Sequence, residues 1–498
     1  MNPLFLAIAV FLPIAFGILV ALLPIKNRKI YLALTMAATI LTSALVWALI
    51  LNKPEGSIDV FFFVERIDIA FKMDGLSMVF AGLISVLWPF AVLYSFEYME
   101  HESKPGMIRE KTFFAMYIVT YGVTLGIAFS ENMMSMYCFY EMLTLVTVPL
   151  VLFTLTKEAV RATRTYLFYS LGGAAFGFIA LIFVIVYGDT IDFRFGGVLN
   201  MDLIGNRVNI LRLIYVLGFM GFGVKAAVCP LNSWLPKAGV APTPVTALLH
   251  AVAVVKSGAF AITRLTYYSF GTDIIKGSWA QYVVMAVAMI TILYGSTMAV
   301  KEKHFKRRLA YSTISNLSYI LFGVTIMTPL GLVGALLHLV FHGVMKICSF
   351  FCAGAVICKA EKHYVDELDG LGRRMPLTFS IFTISAVAIM GLPGLPGFIS
   401  KWSLAKAAVE SSEVMPLIGV GVLIVSAVLT AIYMLEVVIR AFFPAKDESR
   451  ADNVKTEKCD PTFRMLIPLF AFVIMMLVLG LHPAGLIGFI TDVAKGVL

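Results

Sequence analysis

Ionisable side chains lie inside long apolar stretches of this sequence, where such residues are costly. The set has one glutamate, three histidines and four lysines: Glu141, Lys225, His250, Lys256, His338, His342, Lys346 and Lys401. An ionisable group near the centre of a lipid bilayer costs about 2.5–3.5 kcal/mol on insertion scales. The chemistry that these side chains share is proton exchange, so the set predicts movement of protons or cations through a membrane.

Three of these groups are evenly spaced in the segment LLHLVFHGVMKICSFF. His338, His342 and Lys346 occupy positions i, i+4 and i+8, so one helix face presents all three about 6 Å apart in rise. Such a face predicts a hydrogen-bonded file of water and side chains. Burial disfavours the charged form of a lysine, and a nearby carboxylate favours it again. We therefore predict that Glu141 and Lys225 form a pair that switches the proton affinity of the lysine.

Other charged residues near apolar segments have a plainer interpretation. A Lys or Arg near the end of a helix is often a structural partner, or extends its charged end to the membrane surface. We give this interpretation to Lys237 and Arg264. Lys406 and the pair Glu436 and Arg440 stay open between the two interpretations.

Four further polar residues lie in or beside the predicted spans. Arg164 is interpreted as an interfacial anchor or an electrostatic neighbour of Glu141. Ser312, Ser315 and Asn316 have no charge, and they either hold water or join helices by hydrogen bonds.

The composition indicates a membrane protein. Of the 498 residues, 60% are hydrophobic and 14% are charged, with a mean hydropathy of +0.91. Soluble domains have roughly 45–50% apolar and 25% charged residues. The formal charge of +9 does not indicate nucleic-acid binding, because the basic residues lie in short loops between apolar runs. The sequence predicts an all-α integral membrane protein with one membrane domain, residues 1–498.

Apolar runs of about 20 residues, the length that spans a bilayer, predict fourteen transmembrane helices. Residues 1–24 lack the basic start and cleavage site of a signal peptide, so we assign them to the first span. Residues 51–72 alternate apolar and polar side chains in places, which predicts a small extramembrane hairpin. The spans, numbered 1 to 14, are residues 2–24, 30–50, 74–96, 112–130, 132–154, 164–187, 209–236, 243–266, 279–300, 308–328, 330–358, 376–408, 415–443 and 463–490.

Basic residues are concentrated in the odd-numbered loops, and such loops face the cytoplasm. With an even number of spans, both termini are then predicted to lie outside. The basic residues are Lys26, Arg28, Lys29, Lys104, Arg109, Lys111, Lys157, Arg161, Lys301, Lys303, Lys306, Arg307, Lys359, Lys362, Arg373, Arg374, Lys446, Arg450, Lys455 and Lys458.

Two spans contain prolines that interrupt a helix. Pro230 and Pro236 lie in span 7, and Pro393 and Pro396 lie in span 12. Corresponding broken helices in two halves of a transporter indicate an internal repeat and its ion site. Helix order alone then predicts two five-helix repeats, residues 112–266 and 279–443.

Five segments resemble a known family: MYCFYEMLTL around Glu141, GVKAAVCPLNSWLPKAGVAPTPVTALLHAVAVVKSGAF in spans 7 and 8, LAYSTISNLSY, HLVFHGVMKICSFFCAG, and GLPGLPGFISKW. They are similar to the antiporter-like subunits of Mrp-type cation/proton antiporters, respiratory complex I and membrane-bound hydrogenases. The resemblance extends over about residues 70–440. It implies fourteen core helices with two inverted repeats and broken spans 7 and 12. We expect the long C-terminal extension of the largest such subunits to be missing here.

The resemblance also implies roles for single residues. The family's lysine of span 12, glutamate in some members, is Lys401 here, which resembles the Mrp D-type subunit more than the M-type subunit of complex I. Some members have a histidine in span 10 where this sequence has Asn316, so a relay through span 10 has no support. The family's other functional positions fall on Glu141, Lys225, Lys256, His338, His342 and Lys346.

These observations predict a proton-translocating subunit of a larger complex. Protons enter near Lys225, pass Lys256 and the face of span 11, and leave after Lys401, while Glu141 gates Lys225 or couples it to a neighbouring subunit. The direction and any exchange of Na⁺ stay open. The expected partners are other membrane subunits of an Mrp-type antiporter, or of a redox complex like complex I or a membrane-bound hydrogenase. The expected location is the plasma membrane of a prokaryotic-type cell.

Two other classes of function remain for comparison. A stand-alone proton-coupled solute transporter needs polar groups at its helix breaks, and here the breaks offer mostly Pro, Gly and Leu. An oxidoreductase needs a redox centre, but the sequence has no dinucleotide fingerprint, and its six cysteines form no C-x-x-C pair. We expect no cofactor and no metal in this chain, and no nucleic-acid partner.

Overall fold

The computed structural model describes residues 2–25, 27–64, 67–102, 107–443 and 457–497. Several basic residues that set the predicted orientation, namely Lys26, Lys104, Lys446, Arg450 and Lys455, lie outside the described residues. The chain is predominantly helical. The helices that overlap the predicted spans are Leu4–Leu22, Arg28–Asn52, Gly75–Glu102, Met107–Phe129, Met133–Val151, Lys157–Tyr187, Val208–Gly223, Thr243–Ala251, Val254–Thr263, Trp279–Lys301, Phe305–Thr325, Pro329–Ala360, Pro376–Met390, Pro396–Glu410, Val414–Phe442 and Phe463–Leu481.

Shorter elements connect or extend these helices. A separate helix, Ala484–Ala494, follows span 14, which ends at Leu481 rather than at the predicted residue 490. One seven-residue π-helix, Arg264–Phe270, continues span 8. The remaining short helices are Met201–Ile204, Gly205–Arg207, Trp234–Lys237, Ala238–Val240, Thr272–Ile275, Val365–Glu367 and Leu371–Arg374.

Twelve helical segments of the described residues are long and apolar enough to cross a membrane. Predicted spans 10 and 12 are not among them, for different reasons. The helix Phe305–Thr325 has three basic residues in its first turn and several hydroxyl groups further on, which lower its mean hydropathy. Span 12 is divided into Pro376–Met390 and Pro396–Glu410, each 15 residues long. The total of fourteen spans therefore stays a prediction.

The hairpin that the sequence predicts within residues 51–72 is confirmed. Two antiparallel strands, Ser57–Val64 and Ile67–Lys72, pair from Ser57 opposite Lys72 to Val64 opposite Ile67. Leu51 and Asn52 belong instead to the end of span 2.

Span 8 is interrupted, which the sequence did not predict. The helix stops at Ala251 and restarts at Val254, and the backbone amides of both Val252 and Ala253 point to the carbonyl of Leu248. No proline or glycine lies at this position, so neither of the usual signals for a break is present. Among the described residues, spans 8 and 11 are also the most buried membrane helices, with their apolar segments 100% and 94% inside the protein.

Gly258 allows spans 7 and 8 to touch beside Lys225. A Cβ atom at Gly258 would lie 2.5 Å from the backbone nitrogen of Ala226 and 2.9 Å from the carbonyl carbon of Lys225. We predict that Gly258→Ala lowers the free energy of unfolding by about 1–3 kcal/mol, the usual cost of overpacking. It should also reduce transport, because the added methyl group displaces Lys225. Gly172→Ala is the matched control, because a Cβ at Gly172 meets nothing within 4 Å. Wild-type melting and transport in Gly258→Ala would contradict this close packing.

Candidate functional site

Lys225 lies in the break of span 7, fully buried, and contacts span 5. Its Nζ is 3.7 Å from Oε1 of Glu141, the pair that the sequence predicts. The same ammonium donates to the carbonyl of Tyr140 and lies 3.4 Å from the centre of the Tyr140 ring. Glu141 is 21% exposed and its Oε1 atom is buried, so the carboxylate is partly exposed while the lysine lies fully inside.

The break that holds Lys225 is stabilised by side chains from other segments. The indole Nε1 of Trp234 donates to the carbonyl of Val224 at 2.8 Å. The hydroxyl of Thr291 accepts from the amide of Cys229 at 3.0 Å. Non-helical backbone survives inside a membrane only where protein or water satisfies it. These bonds explain how the lysine can occupy an irregular segment.

A second group of contacts begins at Lys256 in span 8. Its Nζ lies 3.2 Å from Nδ1 of His342 in span 11. The ring of His342 stacks with that of His338 at 5.8 Å between centroids and 14° between planes. Nδ1 of His338 lies 2.9 Å from the hydroxyl of Ser400 in span 12. Spans 8, 11 and 12 are therefore joined by two hydrogen-bonding contacts, one at each end of a stacked histidine pair whose Nε2 atoms have no partner among the described residues.

Lys401 follows Ser400 and closes the break of span 12. Its Nζ donates to the carbonyls of Ile389 and Met390 at 2.7 and 3.1 Å. These carbonyls end the first half of the span, where a helix leaves its acceptors unsatisfied. The ammonium also lies 5.4 Å from the centre of the Tyr319 ring.

Lys346 shares the continuous helix of span 11 with the two histidines but forms its hydrogen bond elsewhere. Its Nζ donates to the hydroxyl of Ser312 at 2.7 Å, and the hydroxyl of Tyr433 donates to the same oxygen at 2.7 Å. Ser312 thus joins helices by hydrogen bonds, one of the two roles predicted for it. Lys346 leads toward spans 10 and 13 rather than along the histidines.

Comparison with known proteins shows the family of the chain. Residues 130–430 match the family described as NADH:quinone oxidoreductase/Mrp antiporter, transmembrane. The chain belongs to this family. Residues 64–109 also match the family described as NADH-ubiquinone oxidoreductase (complex I), chain 5 N-terminus.

Two relatives and one solved structure illustrate the breadth of this NADH:quinone oxidoreductase/Mrp antiporter family. NADH-quinone oxidoreductase subunit N of Desulforudis audaxviator is 30% identical over 415 residues, which is 80% of either chain. A probable K⁺/H⁺ antiporter subunit of Rhizobium meliloti is 30% identical over 84% of this chain and 40% of its own length. A chain of the Mrp complex from Dietzia sp. has the same fold, with a TM-score of 0.84, 20% identity, and coverage of 99% and 97%.

His250 is the one candidate of this antiporter-type chain that stands apart. It is fully buried, and neither ring nitrogen has a hydrogen-bond partner among the described residues. Its ring lies 5.0 Å from that of Phe350. A histidine isolated in this way is not joined to Lys256 or His342 by any direct bond.

The other charged residues that the sequence analysis considered are partly exposed and partly buried. Lys237 and Arg164 are exposed, and Lys406 pairs with Glu410 at the surface. Glu436 pairs with Arg440, and with the buried Arg308 at 2.7 Å, so this pair is a structural partnership. Arg264 is buried and pairs with Asp74, so it does not extend its charged end to the membrane surface.

Sequence reasoning missed Ser400, Tyr433, Arg308 and Asp74. Ser400 was detectable, because it precedes Lys401 and lies one turn after Pro396. Nothing local distinguishes Tyr433, which reaches Ser312 from a helix more than a hundred residues away.

Proposed function

We propose that this chain is a proton-translocating membrane subunit of a multisubunit complex. The observation that supports this most directly is the buried series of contacts from Lys256 through His342 and His338 to Ser400, the residue before Lys401. Buried ionisable groups of this kind cost free energy inside a membrane, so a chain that has several of them is expected to use them. The family, whose relatives include quinone oxidoreductase and antiporter subunits, supports the same conclusion.

The proposed path begins at Lys225 and continues through an interval that links it to Lys256. Protons load Lys225, whose affinity Glu141 controls, and then reach Lys256. Between the two lysines, no direct hydrogen bond exists among the described residues, but the hydroxyl of Ser257, the residue after Lys256, is buried and unpartnered. Because buried hydroxyls take water as a partner, we assign this interval to a water-mediated step.

The architecture that we propose has fourteen spans, inverted repeats at residues 112–266 and 279–443, and both termini outside the cytoplasm. The broken spans 7 and 12 then occupy equivalent positions, with Lys225 and Lys401 at their breaks. The chain lies in a plasma membrane, has no cofactor of its own, and takes its energy from partner subunits. Glu141, whose carboxylate is partly exposed, faces such a partner.

The runner-up function, a stand-alone proton-coupled solute transporter, is less well supported. The break of span 12 places a lysine against two carbonyls and leaves no donor set for a solute. The relatives named above are subunits, which favours a complex.

We predict that Glu141→Ala removes most ΔpH-coupled transport, because Lys225 then loses the carboxylate that controls its protonation. A pH-sensitive dye in inverted membrane vesicles measures the transport, with Na⁺ or K⁺ added to reveal cation exchange. Co-purification with partner subunits shows whether the complex assembles. Glu141→Asp should retain part of the activity, and Glu158→Ala, an exposed acid on span 6, all of it. Normal transport in assembled Glu141→Ala would refute the proposed role of the pair.

A further inference from the structure

Arg264 has a buried environment that the proposed relay does not use. It lies where span 8 changes from α-helix to π-helix, and it is 1% exposed. Its Nη2 donates to Oδ1 of Asp74 at 2.8 Å and to the hydroxyl of Ser77 at 3.0 Å, and its Nη1 donates to Oδ2 of Asp74. Arginine and aspartate form here a two-point ion pair, the strongest type of charged hydrogen bond.

Aromatic rings enclose this pair. The Cζ atom of Arg264 lies 4.5 Å from the ring centre of Tyr268, 4.8 Å from Phe193 and 5.2 Å from Phe260. Rings at this distance attract the guanidinium. They also enclose the guanidinium, whose side chain is 1% exposed.

Several polar atoms around the pair have no partner. Among the described residues, Nε of Arg264 and the hydroxyls of Tyr268 and Ser269 are buried and unpaired. All three belong to the π-helix, an element that is frequent at functional sites. An ion pair that only joins two helices has no use for these three unpaired atoms. A water-lined passage does, because buried polar atoms take water as a partner.

Chain connections lead from the pair to the proposed relay and to an acidic cavity. Lys256 is eight residues before Arg264, which is about 12 Å of helical rise. Phe193, whose ring lies against Arg264, follows Asp192, which lines a cavity of about 340 Å³. The acidic residues of this cavity are Asp59, Asp68, Glu131, Asp189 and Asp192. Clustered carboxylates raise the local concentration of protons and other cations.

Two carboxylates of the cavity hold protons more readily than free ones. Burial raises the pKa of Glu131. Burial, followed by the negative charges of Asp59 and Asp192, raises the pKa of Asp68. The cavity is therefore suited to accept a proton that leaves the interior.

We propose that the Arg264–Asp74 pair closes the outer end of the proton path, between Lys256 and the acidic cavity. The inference rests on the proposed function. While the pair is intact, its two hydrogen bonds occupy both oxygens of the Asp74 carboxylate, and the passage is closed. A proton released by the ammonium of Lys256, which becomes an amine, converts the Asp74 carboxylate to the acid. The pair then separates, and the proton continues to the acidic cavity.

The double variant Asp74→Asn/Arg264→Gln tests this gate. It removes both charges at similar volume, so no unpaired charge remains buried. We predict that passive decay of an imposed ΔpH in membrane vesicles becomes roughly threefold faster or more, because the ion pair no longer closes the passage. Adding Lys256→Ala should suppress this leak. Arg207→Gln, an exposed arginine bonded to Tyr187, is the control.

Wild-type decay in the assembled double variant would overturn the proposal, since the pair then only joins spans 3 and 8. A leak that persists with Lys256→Ala would also overturn it, because the protons then bypass the relay. Tyr268→Phe removes a hydroxyl without a partner among the described residues, so folding should be unaffected. We expect slower driven transport, and an unchanged rate would contradict a water-lined passage. The proposed function is tested separately by Lys225→Ala. If that variant loses transport while the gate variants behave like the wild type, only the gate fails.

Discussion

Lys225→Ala is expected to abolish ΔpH-coupled transport while the complex still assembles. The lysine is fully buried in the break of span 7, and its contacts are Glu141 and Tyr140. Alanine removes the group that exchanges the proton, and loss of a positioned acid or base typically costs about 10²–10⁴-fold in rate. A pH-sensitive dye in inverted vesicles should therefore report a signal at background.

Lys225→Arg separates two possible roles of this residue. Arginine stays charged at physiological pH, so it can pair with Glu141 but cannot release a proton. If Lys225 exchanges protons, this variant should be as inactive as the alanine variant. Transport in Lys225→Arg would show that a fixed charge is sufficient and would contradict the relay. Lys237→Ala is the matched control, because this lysine is exposed just after the same break.

The pairing of Glu141 with Lys225 could be predicted because few arrangements satisfy an ionisable residue in an apolar helix. Each charge inside the membrane needs a partner or a water-filled space. Prolines also act locally, so the breaks of spans 7 and 12 were visible in the sequence. The partner atoms of Lys401, the carbonyls of Ile389 and Met390, follow from the break but depend on which way the side chain turns.

The break of span 8 and the position of Lys346 could not be predicted, because both depend on packing. The segment around Val252 has no proline or glycine, and the nearby contact of Gly258 with the backbone of span 7 appears only in the fold. Helical spacing gives the direction of Cβ atoms. It does not give the direction of an amine four carbons further out, which for Lys346 points to Ser312.

His342→Phe is expected to stop transport at Lys256. The imidazole is the hydrogen-bonding partner of that lysine, at 3.2 Å, and it stacks on His338. Phenylalanine keeps the ring and the packing but has no nitrogen to accept or pass a proton. We expect driven proton transport to fall about 100-fold, the lower range for a lost acid–base group, while thermal stability changes little. The same vesicle assay and a melting curve of the solubilised complex measure the two effects.

Comparison with Lys346→Met decides between two routes beyond Lys256. If protons follow the histidines to Ser400 and Lys401, His342→Phe should be far more harmful than Lys346→Met, because Lys346 contacts Ser312 on a side branch. Equal losses in the two variants would instead place Lys346 on the main route, as the even spacing in span 11 first suggested. Full activity in His342→Phe would remove the histidines from the route altogether. His363→Phe, at an exposed position directly before Tyr364, is the control for loss of a histidine elsewhere. Wild-type transport in this control assigns the loss in His342→Phe to the nitrogen that faces Lys256.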